Sequence, residues 1–206
     1  MNIEAILSSA PVVPVVVIDN LDDAAPLAKA LYAGGLRALE ITLRTPVAAE
    51  AVKLMKQAVP EAFVGTGTVV DKATFDASVE AGADFMVSPG VTDELIALAK
   101  STDIPFLPGA ATPSEVMRLA SHGFKFLKFF PAEAAGGAPM LKSIGGPIPH
   151  VKFCPTGGIT LESAPKYLSL SNVVCVGGTW MVDKQLIANK DWQAIEALAK
   201  QASQIK

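Results

Sequence analysis

Three observations predict an α/β chain folded as a small (β/α)8 TIM barrel. Eight short apolar segments recur roughly every 20–26 residues, helix-capping signals lie between them, and glycine turns follow several of them. The segments are Val12–Ile18, Ala38–Leu43, Ala62–Thr66, Asp84–Ser88, Ile104–Leu107, Lys125–Phe130, Val151–Cys154 and Val173–Val176. Most are nearly continuous in apolar residues, as parallel strands covered on both faces should be. An open doubly wound sheet is the runner-up architecture. The chain has 206 residues, half of them hydrophobic, and residues 1–206 are expected to form a single barrel domain with a substantial core. No linker or low-complexity tract divides it.

The stretch Met1–Leu7 lacks a basic leader and reads as a short amphipathic helix, not a signal peptide. Thr45-Pro46 has the form of an N-cap followed by proline at the first helical position, leading into Val47–Val59. Thr92-Asp93-Glu94 opens Leu95–Lys100, and Thr112-Pro113-Ser114-Glu115 is a capping box before Val116–Ala120. Thr160 is placed to cap the helix after it. Gly34-Gly35, Gly82 and Gly123 mark helix exits just ahead of the next strand. Ala134–Gly146, rich in Gly, Ala and Pro, is expected to be a looser loop at the mouth. Asp191–Ile205 is a last amphipathic helix, with Trp192, Ile195 and Leu198 spaced at three.

The net charge of −3 supplies no global basic surface for nucleic acid, so an anionic ligand needs local donors. No apolar run approaches the roughly 18–20 residues of a membrane span. Cys154 and Cys175 both lie in apolar runs and read as buried reduced thiols, which together with the missing leader points to the cytoplasm. Both histidines, His122 and His150, precede strands, on the end of the barrel away from the chemistry. Metal-ligand spacing is absent, and no Ser-His-Asp or Cys-His set converges. No Walker sequence or GxGxxG follows a strand, so neither a nucleotide nor any other cofactor is expected.

Chemistry in such a barrel sits where strands run out. The stretch Phe124–Glu133 carries two lysines in an aromatic strand. Lys125 starts it, within reach of water. Lys128 shares a face with Phe126 and Phe130, where an ammonium is disfavoured and loss of its proton relieves it. A neutral amine attacks carbonyls; the alternative is a pair of strand-end lysines that snorkel. Glu40, in Leu39-Glu40-Ile41-Thr42-Leu43-Arg44, is a costly carboxylate mid-strand. It is either paired, with Arg44 or with a lysine, or it serves as an acid/base with Arg44 clamping a carboxylate. Gly65-Thr66-Gly67-Thr68 allows close backbone approach and offers the Thr68 hydroxyl. Thr156-Gly157-Gly158-Ile159 and Gly177-Gly178-Thr179 end the last two strands, where such barrels bind phosphate through backbone N–H groups and hydroxyls.

Taken together, these strings and Lys128-Phe129-Phe130-Pro131-Ala132-Glu133, Phe153-Cys154-Pro155-Thr156-Gly157-Gly158 and Val176-Gly177-Gly178-Thr179-Trp180 resemble the 2-keto-3-deoxy-6-phosphogluconate aldolase family over nearly the whole chain, in order and with its spacing. The resemblance implies a metal-independent class I aldolase on a (β/α)8 barrel, usually a homotrimer, whose small-molecule partners are a phosphorylated keto sugar acid and pyruvate. It places the Schiff-base lysine at Lys128 and the acid/base at Glu40. Arg44, Thr68 and Thr156 fall at carboxylate-binding positions, and Phe130 packs at the nucleophile. Gly157, Gly158, Gly178 and Thr179 fall on the phosphate cradle. Thr179 stands where members often carry serine, and Phe126 where they often carry a charged residue. Three rival readings remain. One is a sister aldolase acting on the phosphogalactonate epimer or on 4-hydroxy-2-oxoglutarate; another is a phosphosugar isomerase or synthase barrel that needs no imine. The third is a non-catalytic phosphosugar-binding barrel.

Overall fold

The computed structural model describes residues 2–205; Met1, the first residue of the expected N-terminal helix, lies outside the described residues. In chain order the elements are α1 (Ile3–Leu7), β1 (Val12–Val16), a 3-10 turn at Leu21–Asp23, α2 (Ala24–Ala33), β2 (Ala38–Thr42), α3 (Ala48–Ala58), β3 (Phe63–Gly67), α4 (Lys72–Glu80), β4 (Met86–Val87) and α5 (Asp93–Lys100). They continue as β5 (Phe106–Leu107), β6 (Gly109–Ala110), α6 (Pro113–Ser121), β7 (Phe126–Phe129), α7 (Gly137–Gly145), β8 (Lys152–Pro155), α8 (Ala164–Leu168), β9 (Val176–Gly178), α9 (Lys184–Ala188) and α10 (Trp192–Ser203). No helix among the described residues is long and apolar enough to cross a membrane.

All strand pairing is parallel, in the orders β5-β4-β3-β2-β1-β9 and β6-β7-β8. The fifth expected strand is shorter than its apolar run and is followed by a second short piece. Pro108, which has no N–H for the ladder, separates β5 from β6, while its carbonyl accepts from the Lys128 N–H at 2.9 Å. Isolated bridges Phe153–Val173 and Thr156–Gly177 tie β8 to the chain around β9. The last strand lies C-terminal to its expected start: Val173 makes only such a bridge, and the ladder with β1 begins at Val176. The result is a curled parallel sheet with a helix between successive strands, except at β5 and β6.

Strand alternation divides the apolar residues into two layers. Val12, Val16, Leu39, Ile41 and Val64 face the helices. Val13, Ala38, Phe85, Val87, Leu107, Cys154 and Cys175 face one another on the inner side, where Ile6 and Leu7 of α1 join them. The partly buried Phe63, Phe126 and Val174 at or near strand starts also pack there, so α1 covers the end of the sheet where strands begin. That leaves the other end for the site.

Local signals set the helices unevenly. Thr112 accepts from the Glu115 N–H and Glu115 returns a bond to the Thr112 N–H, completing the expected capping box of α6. Thr92 caps α5, and Gly35, Gly82 and Gly123 take the left-handed conformation after α2, α4 and α6. Thr45 does not cap α3. Its hydroxyl donates to the Ile18 carbonyl at 2.6 Å, and the helix starts at Ala48 with no side-chain cap. Thr160 caps only the turn before α8, accepting from the Ser163 N–H at 3.3 Å. Ala134–Gly146 is not a loose loop, since most of it is α7, entered through the left-handed Gly136 and Gly137.

Phe85 is fully buried in the inner layer and lies against Gly65, where an added Cβ would stand 2.5 Å from its ring. Phe85→Ala should therefore lower unfolding free energy by about 3–5 kcal/mol in a urea titration.

Candidate active site

Glu40 of β2 and Lys128 of β7 are 88 residues apart in sequence and meet on the inner side, with Lys128 Nζ 3.1 Å from Glu40 Oε1. Glu40 is 3% exposed and Lys128 5%. Of the five ion pairs among the described residues this is the buried one; the others have partly or largely exposed side chains. Alternation explains the meeting. Leu39 and Ile41 face the helices, so Glu40 faces inward, and Lys128 does likewise between Leu127 and Phe129. Phe126 and Phe130 flank the lysine as expected, its Nζ lying 5.3 Å from the centre of the half-buried Phe130 ring. Of the pairings expected for Glu40, the structure contains the one with a lysine and not the one with Arg44.

Gly67 gives the carboxylate its room. An added Cβ there would stand 2.2 Å from Glu40 Oε1, so only glycine fits beside it in the register that sets Thr42 against Gly67. Thr42 is inward but occupied, donating to the Val16 carbonyl at 3.0 Å. Arg44 lies just past β2 and is exposed; its Nε donates to Thr68 Oγ1 at 3.2 Å. Thr68 holds a left-handed φ of 63°, which costs a β-branched residue energy and fixes its hydroxyl beside the guanidinium. These two form one group at the mouth.

Thr156 is buried just past β8, and its hydroxyl rests where a Cβ on Gly177 would be, 2.3 Å from that position. Below it lie the free thiols of Cys154 and Cys175, both buried. The Cys175 thiol pKa is pushed well up, by the neighbouring Cys154 thiol, by burial and by the charge of Glu40. Cys175 therefore stays a neutral part of the floor.

Gly157 and Gly158 have φ of 107° and 79°. Gly178 lies under the Trp180 ring, and Thr179 is exposed beyond it. Thr179 shares a cavity of about 330 Å³ with Val15, Val17 and Lys184, among others. Val15 stands opposite Glu40 in the ladder, but neither Glu40 nor Lys128 lines this cavity. Sequence reasoning passed over Lys184, a cation just past the Gly178-Thr179 turn that its position in sequence could have suggested. It also missed the bond from Tyr167 to Glu133, for which no local pattern exists across 34 residues. His122 and His150 are exposed, and among the described residues no cluster of three or more His, Cys, Asp or Glu is grouped to hold a metal.

A buried amine facing a buried carboxylate can pass a proton across 3.1 Å and present either a nucleophile or an acid to a bound molecule. Residues 3–198 match the family model for KDPG and KHG aldolase. The chain belongs to the KDPG and KHG aldolase family. A curated relative from Zymomonas mobilis subsp. mobilis, 2-dehydro-3-deoxy-phosphogluconate aldolase, is 49% identical over 205 residues, covering 100% of this chain and 97% of its own. The KDPG aldolase of Legionella pneumophila, solved with pyruvate captured at low pH as a covalent carbinolamine intermediate, superposes with a TM-score of 0.95 at 48% identity, with 97% of each chain covered. The 2-keto-3-deoxy-6-phosphogluconate aldolase of Zymomonas mobilis ZM4, solved with 3-phosphoglycerate, gives 0.94 at 49% identity, with 98% of this chain and 95% of that one covered.

Removing one member of the pair strands the other's charge. Lys128→Met and Glu40→Leu should each cost about 3–5 kcal/mol, and the double variant should regain most of it in denaturant melts.

Proposed function

We propose that this family member is a class I aldolase that cleaves 2-keto-3-deoxy-6-phosphogluconate to pyruvate and glyceraldehyde 3-phosphate. The observation that carries the reading is the buried Lys128–Glu40 pair. With its proton passed to the carboxylate, the Lys128 amine attacks the C2 ketone to give a carbinolamine. Glu40 returns that proton to the carbinolamine hydroxyl as water leaves, so Glu40 is again a carboxylate and a protonated imine forms. That cation accepts the electron pair of the C3–C4 bond when it breaks. Glu40, acting through a bound water, takes the C4 hydroxyl proton as the aldehyde leaves. It then returns a proton to C3 of the enamine, and hydrolysis frees pyruvate and the lysine. Arg44 and Thr68, with Thr156 beside them, hold the substrate carboxylate. Gly157, Gly158, Gly178 and Thr179 hold the phosphate, and these distant contacts orient the scissile bond. The Legionella relative's carbinolamine with pyruvate and the Zymomonas relative's 3-phosphoglycerate support the two halves of this assignment.

The same reading includes a closed eight-stranded barrel in one domain, working as a homotrimer in the cytoplasm. The near-continuity of β5 and β6 and the bridges between β8 and the chain around β9 support closure. The family description also favours a second substrate, 4-hydroxy-2-oxoglutarate, which lacks the phosphate.

Borohydride reduction in the presence of pyruvate should leave a three-carbon adduct on Lys128, located by peptide mass spectrometry. Unmodified protein, or an adduct on Lys125 alone, overturns the assignment. Glu40→Gln should lower kcat for cleavage by about 10²–10⁴-fold. Gly67→Ala, by displacing the carboxylate, should lower it by about 10²-fold while circular dichroism stays unchanged.

A further inference from the structure

The turn at Thr156–Gly158 is held from behind by a segment distant in sequence. The Ala132 N–H donates to the Thr156 carbonyl at 2.8 Å and the Glu133 N–H to the Gly157 carbonyl at 3.1 Å. A trans peptide carries its C=O and N–H in opposite directions. Fixing the Gly157 carbonyl toward Glu133 therefore turns the Gly158 N–H the other way, and among the described residues that N–H has no protein acceptor. Gly158 also presses on the Glu133 stem: an added Cβ would stand 2.9 Å from its Cβ and 2.8 Å from its Cγ.

The stem is anchored in turn. Tyr167 of α8, 1% exposed, donates its hydroxyl to Glu133 Oε1 at 2.5 Å. Burial first, then the hydrogen bond and charge of Glu133, push the phenol's pKa up, so it stays a donor at any working pH. An added Cβ on Gly137, at the start of α7, would lie 3.4 Å from the same hydroxyl. Three segments thus converge on one carboxylate that has no part in the chemistry at Lys128.

We propose that Glu133 and Tyr167 are positioning residues that set the Gly157–Gly158 turn, and through it the grip on a phosphate monoester at the far end of the substrate. The proposal rests on the aldolase reading and deepens it by naming the residues behind selectivity for a phosphorylated substrate.

Two measurements on the full chain separate this role from general support. One is steady-state cleavage of the phosphorylated sugar acid; the other is half-saturation by pyruvate alone in borohydride trapping, which involves no phosphate. Tyr167→Phe should raise KM for the phosphorylated substrate about five- to tenfold, as expected for loosening one hydrogen-bonded anion contact, with kcat little changed. Half-saturation by pyruvate should not move. Glu133→Ala should behave alike, and Glu133→Gln, which keeps an acceptor for the hydroxyl, should restore KM. Should Tyr167→Phe fold poorly, the exposed position of Glu133 lets its two variants carry the test. The proposal is overturned if KM stays put in both disruptive variants, or if pyruvate half-saturation shifts by the same factor. A wild-type protein that forms no pyruvate adduct would instead overturn the aldolase reading itself.

Discussion

A charge pair sealed among apolar strands is the constraint around which the rest of this chain is arranged. An amine and a carboxylate taken out of water are costly singly and tolerable only together. Keeping Glu40 and Lys128 3.1 Å apart therefore sets demands on their neighbours. β2 and β7 must both turn these side chains inward, β3 must carry a glycine at 67 to leave space, and an aromatic ring at 130 must limit water. Sequence reasoning had the lysine relieved by aromatic surroundings. The structure adds a buried carboxylate 3.1 Å away, so the amine is paired as well as shielded.

Around the pair, the other site residues sort by how firmly the backbone holds them. Thr156 and the glycines at 157 and 158 follow strand β8 directly and are tied to Ala132 and Glu133 by backbone hydrogen bonds. Arg44 and Thr68 lean on each other at the surface, with the threonine held in a left-handed conformation. The turn after β8 is thus held by its backbone, whereas at the mouth Arg44 is held by a single side-chain bond to Thr68.

What could be read from the sequence was what is locally encoded. Apolar runs marked the strands because parallel strands are covered on both faces, and glycines at 35, 82 and 123 marked helix exits because left-handed backbone favours them. The capping box at Thr112 and Glu115 is self-contained over four residues. Errors arose where a distant group competed. Thr45 gave its hydroxyl to Ile18, across 27 residues, and left α3 uncapped. The Gly- and Pro-rich stretch before β8 looked loose because its helix starts from two left-handed glycines that composition alone reads as a loop. The pairing of Glu40 with Lys128 could be framed only as one option among several, since nothing local selects a partner 88 residues away.

The short helix α1 has a consequence for traffic. By placing Ile6 and Leu7 against the inner layer where the strands begin, it plugs that end of the curled sheet with apolar side chains. The end where the strands run out is left as the approach to the Lys128–Glu40 pair. For the proposed cleavage, the aldehyde and the fragment bonded to Lys128 then share one route out, and the aldehyde has to take it before water frees the second piece.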